Sequence, residues 1–148
     1  MSDSKSEEVR VENLDIPERI KEDYIEEGIT ELNPPQRDAV NSGLMDGEDM
    51  IVAAPTASGK TFIAVLAMDN QAVKQDKIAV YIVPLKALVS EKFPDFSERY
   101  NNLNVRISVG DLDDEGKGLD HADIVVTTSE KLDSMLRHNP SWIHTIGL

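Results

Sequence analysis

Residues 51–62, which read IVAAPTASGKTF, constrain the fold of this chain more than any other stretch. An apolar run leads into a turn of small residues that ends in Gly59-Lys60-Thr61, and an amphipathic segment follows. This order predicts a buried strand over residues 49–54, a tight loop, and a helix that begins at Lys60. A strand, a glycine-containing loop and a helix in this order are typical of phosphate-binding loops.

The loop nearly matches the pattern G-x-x-x-x-G-K-[ST], with Ala54 in place of the first glycine. Backbone amides and the helix N-terminus attract phosphate, Lys60 reaches the β- and γ-phosphates, and the Thr61 hydroxyl binds Mg²⁺. We therefore predict Lys60 and Thr61 as catalytic residues and Thr61 as the metal ligand. The nucleotide contacts predicted in the loop are Pro55, Thr56, Ala57, Ser58, Gly59, Lys60 and Thr61. The alternative is an ordinary strand–turn–helix connection without a ligand.

Apolar runs of strand length alternate with helical patterns along the rest of the chain. The predicted strands after the loop are 78–83, 105–109, 123–127 and one that begins within 142–148. The predicted helices are 15–28 with Asp15 as its cap, one after Asn33 that stops at Gly43, 60–73, 86–100 with a break near Pro94, and 128–137. A polar loop is predicted at 111–118. This alternation predicts an α/β fold with a doubly wound parallel sheet.

The charge is unevenly distributed: the net charge is −13, and residues 1–50 alone hold 15 acidic and 5 basic side chains. The lead over residues 1–13 is polar, acidic and predicted to be disordered, and residues 14–148 are predicted to form one partial domain. Such acidity argues against general polyanion binding. Any nucleic-acid contact must therefore be local, through a few basic groups and helix N-termini.

The apolar runs are too short for a membrane helix, and the first ten residues lack the apolar core of a signal peptide. The chain has no cysteine, which suits a reducing compartment. We therefore expect a cytoplasmic protein with no membrane partner.

Gln36 lies upstream of the loop and has two interpretations. Its amide can pair with the N6/N7 edge of adenine, which would select ATP. Asn33 and Gln36 also have the spacing of a capping box, in which Gln36 closes the start of its own helix. The spacing alone leaves both open.

Four segments together resemble a known family. Pro34-Pro35-Gln36, APTASGKT at 54–61, VPLKAL at 83–88 and TTSEK at 127–131 are similar in order and approximate spacing to the first, RecA-like motor domain of superfamily-2 DExH helicases. The likeness is greatest to archaeal repair helicases and their Ski-like relatives, and it covers roughly residues 20–148. This family commonly has alanine at the first loop position. The resemblance implies ATP and Mg²⁺ as cofactors and Gln36 as an adenine contact.

The same resemblance implies a nucleic-acid interface. Residues 83–88 match the family's motif Ia and residues 127–131 its motif Ib, and both contact the nucleic-acid backbone in the family. The contacts implied are Pro84, Leu85, Lys86, Thr127, Thr128 and Lys131. Alternatively, Leu85 and Leu88 pack in a core corner and Lys86 is only solvated. Thr127-x-x-Glu130 also has the spacing of a capping box, which can coexist with phosphate contact. Gly110-Asp111 resembles a family loop between these motifs.

The resemblance implies a helicase that couples ATP hydrolysis to translocation along single-stranded or forked nucleic acid, with DNA favoured over RNA. The family's Asp-Glu-x-His strand and second motor domain are not in the sequence, so we expect a chain truncated before that strand. Such a chain should bind ATP without hydrolysing it, because phosphoryl transfer depends on the missing groups. The alternatives are a duplex translocase or remodeller that does not unwind, and a non-catalytic nucleotide-binding module.

Overall fold

The computed structural model describes residues 9–110 and 118–148. The chain divides into two compact units, Met1–Lys74 and Gln75–Leu148. The helices are α1 (Glu18–Glu26), α2 (Pro34–Asn41), α3 (Lys60–Met68), α4 (Lys86–Arg99) and α5 (Ser129–Arg137), and the strands are β1 (Ala79–Val83), β2 (Val105–Ser108) and β3 (Ile124–Thr128). Apart from Gly118, the predicted polar loop at 111–118 lies outside the described residues.

Backbone hydrogen bonds and burial fix residues 9–13 of the first unit. The Leu32 amide donates to the Val9 carbonyl at 3.0 Å, the Val11 amide donates to the Thr30 carbonyl at the same distance, and Val11 is fully buried. The predicted disorder of residues 1–13 is therefore wrong for residues 9–13, because backbone pairing and burial of one apolar side chain fix them. Residues 1–8 lie outside the described part of the chain.

Local signals set the helices of the first unit. Helix α2 begins with a capping box in which the Asn33 and Gln36 side chains pair with each other's backbone amides. This was one of the two interpretations that the spacing left open. The prediction that Asp15 caps α1 is wrong: Pro17 holds that position, and the Asp15 carboxylate pairs with Lys74 instead. Helix α3 begins at Lys60 as predicted and continues as a π-helical turn over Asp69–Lys74.

The strand predicted over residues 49–54 is absent, since these residues have no regular secondary structure and Ile51 is 98% exposed. An apolar run becomes a strand only when a neighbouring strand accepts and donates its backbone hydrogen bonds. No such partner for this run occurs among the described residues.

The second unit is built on a parallel sheet in the order β1-β3-β2. Val83 of β1 pairs with Thr128 of β3, and Ser108 of β2 pairs with Thr127. The predicted last strand is shorter than expected. Ser141–Thr145 form a 3₁₀ turn, and parallel pairing to Ile78 begins at Ile146.

Helices cover both faces of this sheet. Tyr81 of β1 meets Phe96 of α4 edge to face, with ring centroids 4.9 Å apart. Alternate strand residues point to the opposite face, where a buried cluster packs. That cluster consists of Ile78, Leu119, Ala122, Val125, Met135 and Trp142. The predicted doubly wound α/β architecture is confirmed.

Helix α4 runs through Pro94 without the predicted break. A proline in a helix removes one backbone donor and strains one turn, and the remaining hydrogen bonds of a 14-residue helix hold the rest. No helix in the described ranges has both the length and the apolar content needed to cross a membrane.

Candidate nucleotide and nucleic-acid sites

The predicted phosphate loop is a tight turn ahead of α3. Ala57 and Gly59 both have left-handed backbones, with φ of 62° and 79°. Left-handed residues in a turn direct successive amides toward one side, which is the geometry of anion-binding nests. Gly59 is the N-cap of α3 and has no side chain to cap it. The first-turn amides at Lys60 and Thr61 are thus available to a ligand oxygen.

The Lys60 ammonium folds back over the loop. It donates to the carbonyl oxygens of Ala54 and Pro55 at 2.5 and 3.1 Å, and its side chain is exposed. The Ser58 hydroxyl also donates to the Pro55 carbonyl, at 2.6 Å. A phosphate is a stronger acceptor for a cation than a carbonyl. Lys60 can therefore exchange these hydrogen bonds for ones to phosphate oxygens without crossing a buried region.

Two side chains at the start of α2 donate hydrogen bonds to carbonyl oxygens of the loop. The Asn33 amide donates to the Ser58 carbonyl at 2.9 Å, and Gln36 Nε2 donates to the Gly59 carbonyl at 3.3 Å. Gln36 Oε1 accepts from the Asn33 backbone amide at 3.0 Å, so the capping role is confirmed. An amide has two donor hydrogens and two acceptor lone pairs, so Gln36 keeps one of each for an adenine edge. Adenine recognition by Gln36 stays a prediction.

Glycine is required at position 59 for space as well as for its backbone conformation. A Cβ there would lie 2.3 Å from Gln36 Nε2 and 3.0 Å from Asn33 Nδ2. Both amides are tied to the loop carbonyls. A side chain at this position would therefore displace the groups that shape the loop.

The second unit contains a groove at the carboxyl ends of two adjacent strands. Helix α4 begins three residues after β1, and α5 begins directly after β3. The groove has a volume of about 470 Å³ and is lined by Pro84, Leu85, Lys86, Gly110, Thr128, Glu130, Lys131 and Ser134. Two lysines and two helix N-termini at one groove can bind phosphate groups of a polyanion.

Five of the six residues predicted to contact nucleic acid line this groove: Pro84, Leu85, Lys86, Thr128 and Lys131. Thr127 does not, because it is fully buried and its hydroxyl donates to the Ser108 carbonyl at 2.7 Å. The predicted capping box Thr127-x-x-Glu130 is also wrong. Thr128 is the N-cap of α5, and its hydroxyl accepts from the Lys131 amide at 3.4 Å.

Sequence reasoning missed Glu130 and Ser134 as groove residues and gave Gly110 little weight. Helical spacing was the available signal for Ser134, which lies one turn beyond both Glu130 and Lys131. A Cβ at Gly110 would lie 3.9 Å from Lys86 Nζ. The Lys86 ammonium therefore lies close to the backbone of Gly110, which has no side chain of its own between them. The Glu130 carboxylate offsets part of the positive charge of the two lysines.

We expect Thr127→Val to weaken the fold without affecting binding in the groove. The change removes a buried hydrogen bond and should lower the free energy of unfolding by about 1–2 kcal/mol. Affinity for a single-stranded oligonucleotide should stay within about twofold. Chemical denaturation and fluorescence anisotropy measure the two effects. Thr128→Ala is the matched variant, because Thr128 lines the groove. Weaker oligonucleotide binding by Thr127→Val than by Thr128→Ala would contradict the placement of Thr127 outside the groove.

The family model of DEAD/DEAH box helicases matches residues 33–148, which include both the phosphate loop and the groove. The chain belongs to the DEAD/DEAH box helicase family. Its RecA-like fold is confirmed by solved structures. A DUF1998 helicase, MrfA, bound to DNA and AMPPNP superposes with a TM-score of 0.73 and 28% identity, covering 86% of this chain and 19% of MrfA.

Curated relatives of this DEAD/DEAH box helicase chain carry the name ATP-dependent DNA helicase Hel308. The protein of Pyrococcus horikoshii is 48% identical over 93% of the chain, and that of Pyrococcus abyssi is 47% identical over 95%. The chain spans 19% and 20% of the length of these two relatives. The resemblance to archaeal repair helicases is confirmed.

Proposed function

We propose that this chain is the ATP-binding part of an ATP-dependent DNA helicase of the DExH type, and that it also contributes to the DNA track. The observation that carries the proposal is the groove that brings Lys86 and Lys131 together at the starts of α4 and α5. These two segments were predicted from separate motifs, and they lie 45 residues apart in sequence.

The phosphate loop supplies the nucleotide site in this proposal. The amides of Thr56, Ala57 and Gly59 and those of the first turn of α3 bind the phosphates. Lys60 leaves its carbonyl partners to pair with the phosphates as well. Thr61 lies exposed in that first turn, and its hydroxyl would hold Mg²⁺. The ion would supply positive charge to offset the charge on the phosphates. Gln36 binds the adenine edge with its second Nε2 hydrogen and the second lone pair of Oε1, which the contacts with Gly59 and Asn33 do not use.

The groove holds the backbone of one strand. Lys86 and Lys131 neutralise phosphates, and the amides at the starts of α4 and α5 donate to phosphate oxygens. The Glu130 carboxylate in the same groove keeps the local charge low, which favours contacts that form and break. A motor that steps along a strand needs such releasable contacts. This also reconciles binding with a net charge of −13.

DNA is favoured over RNA because the Hel308 relatives are named DNA helicases and the MrfA structure is a complex with DNA. Forked DNA and forked RNA of matched sequence test this directly when a longer protein that contains the chain is assayed with ATP. Strand separation on DNA supports the proposal. Translocation along duplex DNA without separation would favour a remodeller instead.

We expect Lys86→Ala and Lys131→Ala each to reduce the salt dependence of oligonucleotide binding. One phosphate contact on a single strand contributes about 0.7 to the slope of log affinity against log salt concentration. Fluorescence anisotropy of a labelled single strand at several salt concentrations measures this slope for the 148-residue chain.

Lys77→Ala is the matched control, because Lys77 is exposed in the same unit and does not line the groove. It should leave the slope unchanged. Equal slopes for all four proteins would contradict the proposed DNA track.

A further inference from the structure

One buried side chain links α1 to both ends of α3. Tyr24 of α1 is fully buried, and its ring meets Phe62 edge to face with centroids 4.7 Å apart. Its hydroxyl donates to Oδ2 of Asp69, which is also fully buried. Phe62 and Asp69 lie two turns apart on the same face of this helical segment. Tyr24 thereby touches the helix near its first turn and at its end.

The Phe62 end of this contact adjoins the nucleotide site. Phe62 follows Thr61 directly, and its backbone amide donates to the Gly59 carbonyl at 3.1 Å. That carbonyl also accepts from Gln36 Nε2. The position of the Phe62 ring therefore bears on the orientation of the loop's last peptide and of the first turn of α3.

Tyr24 also anchors the segment that supports the loop. The Ile29 amide donates to the Tyr24 carbonyl at 2.8 Å, and the chain then leads into Asn33 and Gln36. Asn33 and Gln36 hold the carbonyls of Ser58 and Gly59. The same stretch of chain thus touches α3 through Tyr24 and the loop through two amides.

The Tyr24 hydroxyl adds a directional hydrogen bond to this packing. A phenylalanine would give the same ring contact, but it lacks the hydroxyl that donates to the buried Asp69 carboxylate. A buried carboxylate must be hydrogen-bonded to be tolerated, so the Asp69 end of α3 is fixed relative to α1.

We propose that Tyr24 is a positioning residue for the ATP site. It fixes α3 along its axis so that Lys60 and Thr61 meet the phosphates, and it acts through Phe62 and Asp69 without touching the nucleotide. This inference rests on the proposed ATP-binding function and adds a residue to it that no motif of the sequence indicated.

The test compares Tyr24→Phe with the double variant Tyr24→Phe/Asp69→Asn in the 148-residue chain. The single change leaves a buried carboxylate with one partner fewer, so the unfolding midpoint falls. The second change replaces the carboxylate with a neutral amide, so the midpoint should recover while the hydrogen bond from α1 to the end of α3 stays broken. A purely structural role predicts that nucleotide affinity recovers with the midpoint. A positioning role predicts that it does not.

Affinity is measured with a fluorescent ATP analogue, and amide hydrogen exchange of residues 60–63 is measured without nucleotide. We expect about a fivefold loss of affinity in both variants, and faster exchange in the first turn of α3. Tyr81→Phe is the matched control, because Tyr81 makes a similar edge contact with Phe96 in the other unit. It should change neither measurement.

Affinity of Tyr24→Phe within about twofold of the unsubstituted chain, or affinity that recovers together with the midpoint, would overturn the inference. Equal nucleotide binding by the unsubstituted chain and Lys60→Ala would instead overturn the ATP proposal. Exchange would then still decide the role of Tyr24 in ordering α3. Faster exchange in Tyr24→Phe supports that role, and unchanged exchange refutes it.

Discussion

Gly59→Ala should lower the free energy of unfolding of the first unit by about 2–4 kcal/mol and abolish detectable ATP binding. The backbone at Gly59 is left-handed, with φ of 79°, which costs an alanine about 1–2 kcal/mol. The new Cβ would also lie 2.3 Å from Gln36 Nε2. That amide must move, and the move breaks its hydrogen bond to the Gly59 carbonyl and disturbs the capping box.

Gly28→Ala separates these two causes. Gly28 has a similar φ of 84°, but a Cβ there meets nothing within 4 Å. It should show the backbone cost alone and bind ATP normally. Chemical denaturation and titration with a fluorescent ATP analogue provide the measurements. Equal loss of stability and of binding in both alanine variants would show that the contact with Gln36 is unimportant.

A double-mutant cycle sharpens this prediction. Gln36→Ala removes the amide that the Cβ would strike, so Gly59→Ala should cost less stability in that background than in the unsubstituted chain. Residues in contact give such non-additive effects, whereas independent residues give additive ones. If the two substitutions lower the free energy of unfolding additively, the whole loss in Gly59→Ala comes from its left-handed backbone and none from the contact with Gln36.

Lys60→Ala should weaken ATP binding by about 10- to 100-fold while leaving the fold intact. The weaker binding corresponds to one or two charge-assisted hydrogen bonds from an ammonium to phosphate oxygens. The substitution also removes the Lys60 hydrogen bonds to the carbonyls of Ala54 and Pro55, but both bonds are solvent-exposed, so stability should change little. Isothermal titration calorimetry with Mg²⁺ and ATP measures the affinity.

Two further comparisons test Lys60. Lys60→Arg keeps the charge and should retain part of the affinity, and Lys77→Ala removes an exposed lysine outside the loop and should retain all of it. The 148-residue chain by itself should hydrolyse ATP no faster than Lys60→Ala, because phosphoryl transfer needs further water-orienting and cationic groups. Unchanged affinity in Lys60→Ala would contradict the proposed nucleotide site.

Short-range signals accounted for much of the fold. The Asn33-Pro-Pro-Gln36 stretch had the spacing of the capping box that starts α2, and Gly59-Lys60 predicted the start of α3. Continuous apolar runs predicted β1 and β3. The capping box and the helix start depend on residues a few positions apart, so they can be read directly from the sequence. The apolar runs give strand composition, and they form β1 and β3 because these two strands pair with each other.

The errors came from features that depend on distant partners. Residues 49–54 have a strand's composition but no strand beside them among the described residues. Val11 is buried although it lies in a polar lead, because the chain near Thr30 pairs with it. The capping role fell to Thr128 instead of Thr127, because pairing of β3 with β2 turns the Thr127 hydroxyl toward Ser108.

The sequence by itself determined the family, the parallel α/β class and the start of α3 at Lys60. These follow from local order and residue type, which hold wherever the segments lie in space. Only the tertiary structure decided that Lys86 and Lys131 share one groove, that Thr127 lies outside it, and that Tyr24 holds both ends of α3. Strand register and helix packing set those neighbours, and both are decided by contacts between residues far apart in the chain.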